Sequence, residues 1–204
     1  MKRILIILFL AFAATSMASA RDSAKGGTSE VTNVPRSMGF RIGVTGFDVT
    51  YQHSFRKNQF LQGDFGVDFG YSVNGHPGVR ATAAYNFIWA RPAWTRRGFW
   101  ALYSGPGLTL GYVNDMAHYK TGEYVAYTPK TMGDNGFMLG VAVQVGLEYT
   151  FDFPLTLAVE LRPVFGMHVN DGVELGGVHY GSKVGFYDNG MMGFIPTFAA
   201  RYRF

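Results

Sequence analysis

Residues 136–151 read GFMLGVAVQVGLEYTF, with an apolar side chain at every second position. Phe137, Leu139, Val141, Val143, Val145, Leu147, Tyr149 and Phe151 share one parity. Met138, Gly140, Ala142, Gln144, Gly146, Glu148 and Thr150 share the other. Successive side chains of an extended chain point to opposite sides, so a period of two marks a β-strand with two unlike faces. Which solvent each face meets decides the fold.

The same pattern runs through most of the chain. Alternating segments predict strands at 38–45, 47–55, 60–73, 78–91, 98–113, 136–152, 155–169 and 192–204, separated by turn-forming residues. Positions in register with the apolar face include Phe40, Ile42, Phe65, Trp89, Leu108, Leu157, Phe198 and Tyr202, and none of the set is charged. The chain is 16% charged, so roughly seven charges would fall by chance among about 44 such positions. The opposite parity carries Arg41, Asp48, Gln52, Asp64, Asp68, Arg80, Asn86, Gln144, Glu148, Glu160, Arg162, Arg201 and Arg203, set among Gly, Ala, Ser and Thr.

A soluble barrel would have to pack the aromatic and branched rows into a bore barely wide enough for side chains. Its exterior would be Gly and Ala with few charges. A membrane barrel reverses this: large apolar side chains meet hydrocarbon, while small and ionic ones fill the lumen. A cation facing mid-bilayer costs about 2–4 kcal/mol, which accounts for the exclusion. The sequence therefore predicts an all-β, antiparallel, up-and-down transmembrane β-barrel.

The connections give it a direction. The turn at Asp152-Phe153-Pro154 is tight, 56–59 is short and 92–97 moderate, whereas 114–135 and 170–191 are long and polar. Outer-membrane barrels keep short turns at the periplasmic end and long loops outside. Counting strands back from 192–204 then requires an ascending strand at 38–45, with a reversal near Gly46, for a total of eight. A single bulged strand over 38–55 is the alternative. Trp89, Trp94, Trp100, Tyr149, Phe151, Tyr202 and Phe204 collect near one rim, as an interfacial aromatic girdle would. Pro106, Pro163 and Pro196 fall inside the expected strands and call for bulges or displaced boundaries.

The first residues have another character. Met1-Lys2-Arg3 precedes an apolar run over 4–14 and Ala18-Ser19-Ala20, the pattern of a cleaved signal peptide over 1–20. Residues 21–37 are polar and aperiodic and read as a flexible segment, leaving 38–204 as the barrel domain. Without Lys2 and Arg3, 16 of the 18 basic residues remain against 14 acidic ones. The basic residues are scattered along the sequence, which gives no nucleic-acid footprint. Cysteine is absent and the five histidines lack metal-ligand spacing, so no metal and no cofactor are expected.

The chain end, Phe198-Ala199-Ala200-Arg201-Tyr202-Arg203-Phe204, resembles the C-terminal signature of outer-membrane β-barrel proteins. With the signal sequence, the chain is similar to the small eight-stranded barrel families, including OmpX-like and OmpA-transmembrane-like members. Tyr51-Gln52-His53, Gly146-Leu147-Glu148-Tyr149 and Asp152-Phe153-Pro154 resemble elements of Bacteroides-type outer-membrane barrels. The resemblance implies residence in the outer membrane of a Gram-negative bacterium, among its lipids and lipopolysaccharide. It also implies recognition of the terminal strand and Phe204 by the barrel-assembly machinery.

Three functional classes follow. Five acids (Asp48, Asp64, Asp68, Glu148, Glu160) and five arginines (Arg41, Arg80, Arg162, Arg201, Arg203) on the lumen face predict an ion-pair network that fills the bore and blocks conduction. Function then lies in the outer loops, where Tyr119, Tyr124, Tyr127 and Tyr180 are candidate binding residues. The second class is a lipid A-modifying enzyme, suggested by His53-Ser54 and by His168 with Asn170 and Asp171. Alternation aims His53 outward without an orienting carboxylate, so no catalytic residue is assigned. The third is a narrow pore or transporter for small apolar molecules, with a gap in the wall if Pro106 and Pro163 are neighbours.

Overall fold

A computed structural model describes residues 35–69, 77–115, 134–170, 173–175, 178–180, 184–188 and 190–204. The signal sequence, most of the 21–37 segment, Tyr119, Tyr124 and Tyr127 lie outside the described residues. The strands are β1 (Arg36–Gly43), β2 (Gly46–Arg56), β3 (Gln59–Asp68), β4 (Gly78–Ala90), β5 (Phe99–Asp115) and β6 (Asp134–Thr150). They continue with β7 (Leu155–Leu161), β8 (Val164–Asn170), β9 (Val173–Leu175), β10 (Val178–Tyr180), β11 (Val184–Asp188) and β12 (Thr197–Arg203).

All pairings are antiparallel. The principal sheet runs β11-β8-β6-β5-β4-β3-β2-β1-β12-β7, and a β6–β7 ladder closes it. Along β6, residues 145–150 pair with β7 and residues 136–142 with β8. In the same way β12 pairs with β7, and β11 with β8. Thus β7 and β8 are successive halves of one strand, and β11 and β12 are halves of the last. The result is a closed, eight-stranded, up-and-down barrel.

The first hairpin is real: Gly43 pairs with Gly46 around Val44-Thr45, so 38–55 is two strands. β1 begins at Arg36, and Arg36 and Ser37 already pair with His53 and Gln52 of β2, so the polar N-terminal segment stops earlier than its composition indicates. Of the strand expected over 60–73, β3 covers the residues to Asp68 and Phe69 lies beyond it, while 70–73 are outside the described residues.

The larger corrections lie near the end of the chain. Residues 170–191 are more than a loop: β9 and β10 form a separate two-stranded sheet, and β11 joins the wall. Residues 192–204 are not one strand, because a 3-10 turn occupies Gly190–Phe194 and the strand resumes at Thr197. Two prolines are the cause. Pro163 separates β7 from β8, and Pro196 immediately precedes β12, since neither can donate to a ladder. The break is nonetheless bonded, with the Arg162 N–H donating to the Gly193 carbonyl (2.9 Å) and the Val143 N–H to the Pro163 carbonyl (3.0 Å).

Pro106 behaves differently. It stays inside β5, pairs in register with Val143 of β6, and costs pairings on the β4 side, between Ala84↔Gly107 and Phe87↔Ser104. Pro106 and Pro163 therefore flank the same residue, Val143, from opposite sides, with β6 intact between them.

The two faces point as their chemistry demands. Phe40 (69%), Leu108 (65%), Phe65 (62%) and Phe198 (60%) are exposed on the outside, whereas Gln144, Glu160 and Arg201 inside have no accessible surface. The barrel is apolar outside and ionic within.

Candidate functional site

The lumen is organised around Glu160, carried inward by β7. Its carboxylate accepts a hydrogen bond from Arg201 of β12 and one from the Tyr103 hydroxyl (2.7 Å). Arg162 (3.6 Å) and Arg41 (3.8 Å) lie close by. Arg162 pairs with Asp64 and donates to Gln144 (2.8 Å), while Arg201 also reaches Glu148 (3.4 Å). Toward the other end, Arg41 pairs with Asp48 directly across the β1–β2 ladder, and Arg80 links Asp48 (3.8 Å) to Asp68. Nine of the ten lumen ions expected from the sequence share these contacts.

Arg203 is the exception. It donates to the Phe151 (2.7 Å) and Phe153 (2.9 Å) carbonyls and forms no ion pair among the described residues. Alternation assigns a residue to a face but not to a height along the axis, and Arg203 sits below the acids, at the turn.

Neutral side chains complete the lattice. Gln62 is central: its amide donates to Asp64 and Glu160, and its oxygen accepts from Gln52 (3.1 Å) and Gln144 (2.9 Å). Tyr103 reaches Glu160 because its register partner is Gly146, where a methyl group would overlap the phenol ring. That glycine makes room for the hydrogen bond.

Beyond the ions, the lumen wall turns apolar. Val113, Met138, Ala142, Val164 and Tyr187 pack together and are buried. His168 is buried beside them, its Nε2 3.3 Å from the Val113 carbonyl and its ring facing Tyr187. His53 lies at the opposite end, 6.3 Å from the Phe55 ring, with Nδ1 buried and unbonded. The structure does not bring the two histidines together. No group of three or more His, Asp or Glu residues among the described ones could hold a metal. Tyr180 belongs to β10.

The end bearing the short turns has a composition of its own. Trp94, Trp100, Tyr149, Phe151 and Phe153 form a chain of ring contacts with centroids 4.6–5.3 Å apart. Phe55, Tyr85 and Phe87 form another. Basic residues gather beside them: Arg36 opens β1, Arg56 and Lys57 lie at the β2–β3 turn, Arg91, Arg96 and Arg97 in the β4–β5 turn, and Arg203 ends β12. Asp152 is the one acidic side chain in those turns. Arg41, Arg80, Arg162 and Arg201 in the lumen are all ion-paired, yet no cation of this rim has a carboxylate within 4.0 Å among the described residues. Residues scattered in sequence are clustered in space. A cavity of about 280 Å³ opens at this end, with Arg56, Lys57, Arg91 and Ser54 among its lining, Glu148 within, and Phe60 and Ile88 as apolar wall.

No family model, no curated protein and no solved structure matches the chain.

Proposed function

We propose that the protein is an integral outer-membrane β-barrel whose bore is closed by its own side chains, with a structural or surface-binding role rather than a conducting one. The observation that carries this reading is the radial inversion of polarity: exposed Phe, Leu, Ile and Val outside, and a buried ionic lattice inside. In water such an exterior would be a continuous apolar patch far beyond what a monomer tolerates. In a bilayer it is the ordinary wall of a barrel, and every described strand of the wall pairs into one sheet. The resemblance to OmpX-like and OmpA-transmembrane-like barrels points the same way.

Closure follows from the width of an eight-stranded bore, which side chains can fill. Here Gln62, Gln144, Glu160 and Arg201 meet across it without accessible surface. Contact with other molecules then falls to the loops and rims, with Tyr119, Tyr124, Tyr127 and Tyr180 as the candidates on the long-loop side. Single-channel recording of the purified protein in planar bilayers tests the reading. The expected trace is flat, and stable openings on the nanosiemens scale would overturn it.

A further inference from the structure

We propose that the short-turn end of the barrel is a docking site for anionic phospholipid, with Arg56, Lys57 and Arg91 holding the headgroup phosphate at the lip of the mouth cavity. This inference rests on the membrane reading above and names a lipid class that reading leaves open.

The first argument is electrostatic. A rim that served solubility alone would mix both signs of charge. This one is basic apart from Asp152 and the Arg201-bound Glu148, and its cations have no carboxylate within 4.0 Å among the described residues. Concentrated positive charge on one rim is complementary to an anionic surface.

The second argument is position. The cations adjoin two chains of aromatic contacts that begin at Trp94 and Phe55. Tyr and Trp belts mark the depth of lipid headgroups, and long basic side chains at that depth extend toward phosphate. The third is construction. Arg91 donates to the Lys57 carbonyl (2.7 Å) and to Asn58 Oδ1 (3.4 Å), tying the β4–β5 turn to the β2–β3 turn. That places three cations around one opening, and guanidinium donors remain for a phosphate. Glu148 lies in the same cavity but is bonded to Arg201 (3.4 Å) and Gln52 (3.4 Å), so a headgroup meets cations first.

The test is native mass spectrometry of the folded protein released from mixed micelles containing phosphatidylglycerol and phosphatidylcholine in equal amounts. The wild type should retain phosphatidylglycerol preferentially. The Arg56→Gln/Lys57→Gln/Arg91→Gln variant should lose that preference, on the order of fivefold for each cation neutralised. Equal retention of the two lipids by the wild type, or an unchanged preference in the variant, overturns the inference. So does selective displacement by inorganic phosphate beyond that caused by chloride at equal ionic strength, since the site would then belong to the free anion. Gel mobility of boiled and unboiled samples is read in parallel. A heat-shifted band without lipid preference defeats the docking site alone; a band that boiling does not shift defeats the membrane reading and the site with it.

Discussion

Glu160 is the carboxylate on which the cations of the bore converge. Its side chain is inaccessible, and Arg201, Arg162 and Arg41 approach it from three strands or strand breaks. Glu160→Gln keeps the volume and an acceptor but leaves those guanidiniums short of one charge inside a closed space. Removing one partner of a buried ion pair costs about 3–5 kcal/mol, whereas removing both can be nearly neutral. The variant should therefore fold into vesicles with a lower urea midpoint than the wild type. An Arg201→Met/Glu160→Met variant should recover part of the loss. A midpoint unchanged by Glu160→Gln would mean that the lattice does not hold the barrel. At this scale the sequence is readable where charge and parity coincide, as at Arg41, Asp64 and Glu160. It is silent where neutral groups mediate, as at Gln62 and Tyr103, and where height along the axis matters, as at Arg203.

Among the elements, β5 and β6 are bonded along their whole length, with pairings from Phe99↔Thr150 to Asp115↔Asp134. β11 is the contrast: it is short, precedes the break at the 3-10 turn, and is paired with β8 alone among the described residues. Edge segments with few neighbours open locally at low free-energy cost. Hydrogen exchange read by mass spectrometry should find peptides from β11 exchanging well ahead of those from β12, and β5 and β6 slowest of all. Protection of β11 equal to that of β12 would contradict this order. Periodicity marks both halves of the strand broken into β7 and β8 but cannot say where the break falls. Pro163 and Pro196 announce an irregularity, yet whether a proline breaks a strand, as at 163, or is absorbed, as at 106, depends on the neighbour its missing N–H would face. Residues 170–191 read as a loop because a five-residue strand among glycines carries too little alternation to register.

Two patterns appear at the scale of the molecule, one radial in polarity and one axial, the basic rim at the short-turn end among the described residues. The radial gradient is legible in the sequence because it has a period of two and recurs in every strand. The axial one is hidden, because Arg36, Arg56, Arg91 and Arg203 are far apart in the chain. They meet because an up-and-down barrel brings every second connection to the same end. The radial gradient is the central claim, and the chain is suited to a direct test, since it contains no cysteine. Each engineered cysteine over 139–147 can therefore carry the sole nitroxide label in the folded protein. Collision of the label with oxygen dissolved in the bilayer, relative to a polar nickel complex, reports contact with acyl chains. Oxygen accessibility should alternate, high at Leu139, Val141, Val143, Val145 and Leu147 and low at the positions between them. High values at Gln144 and Gly146 with low values at Val143 and Val145, or no alternation at all, would contradict the inverted barrel.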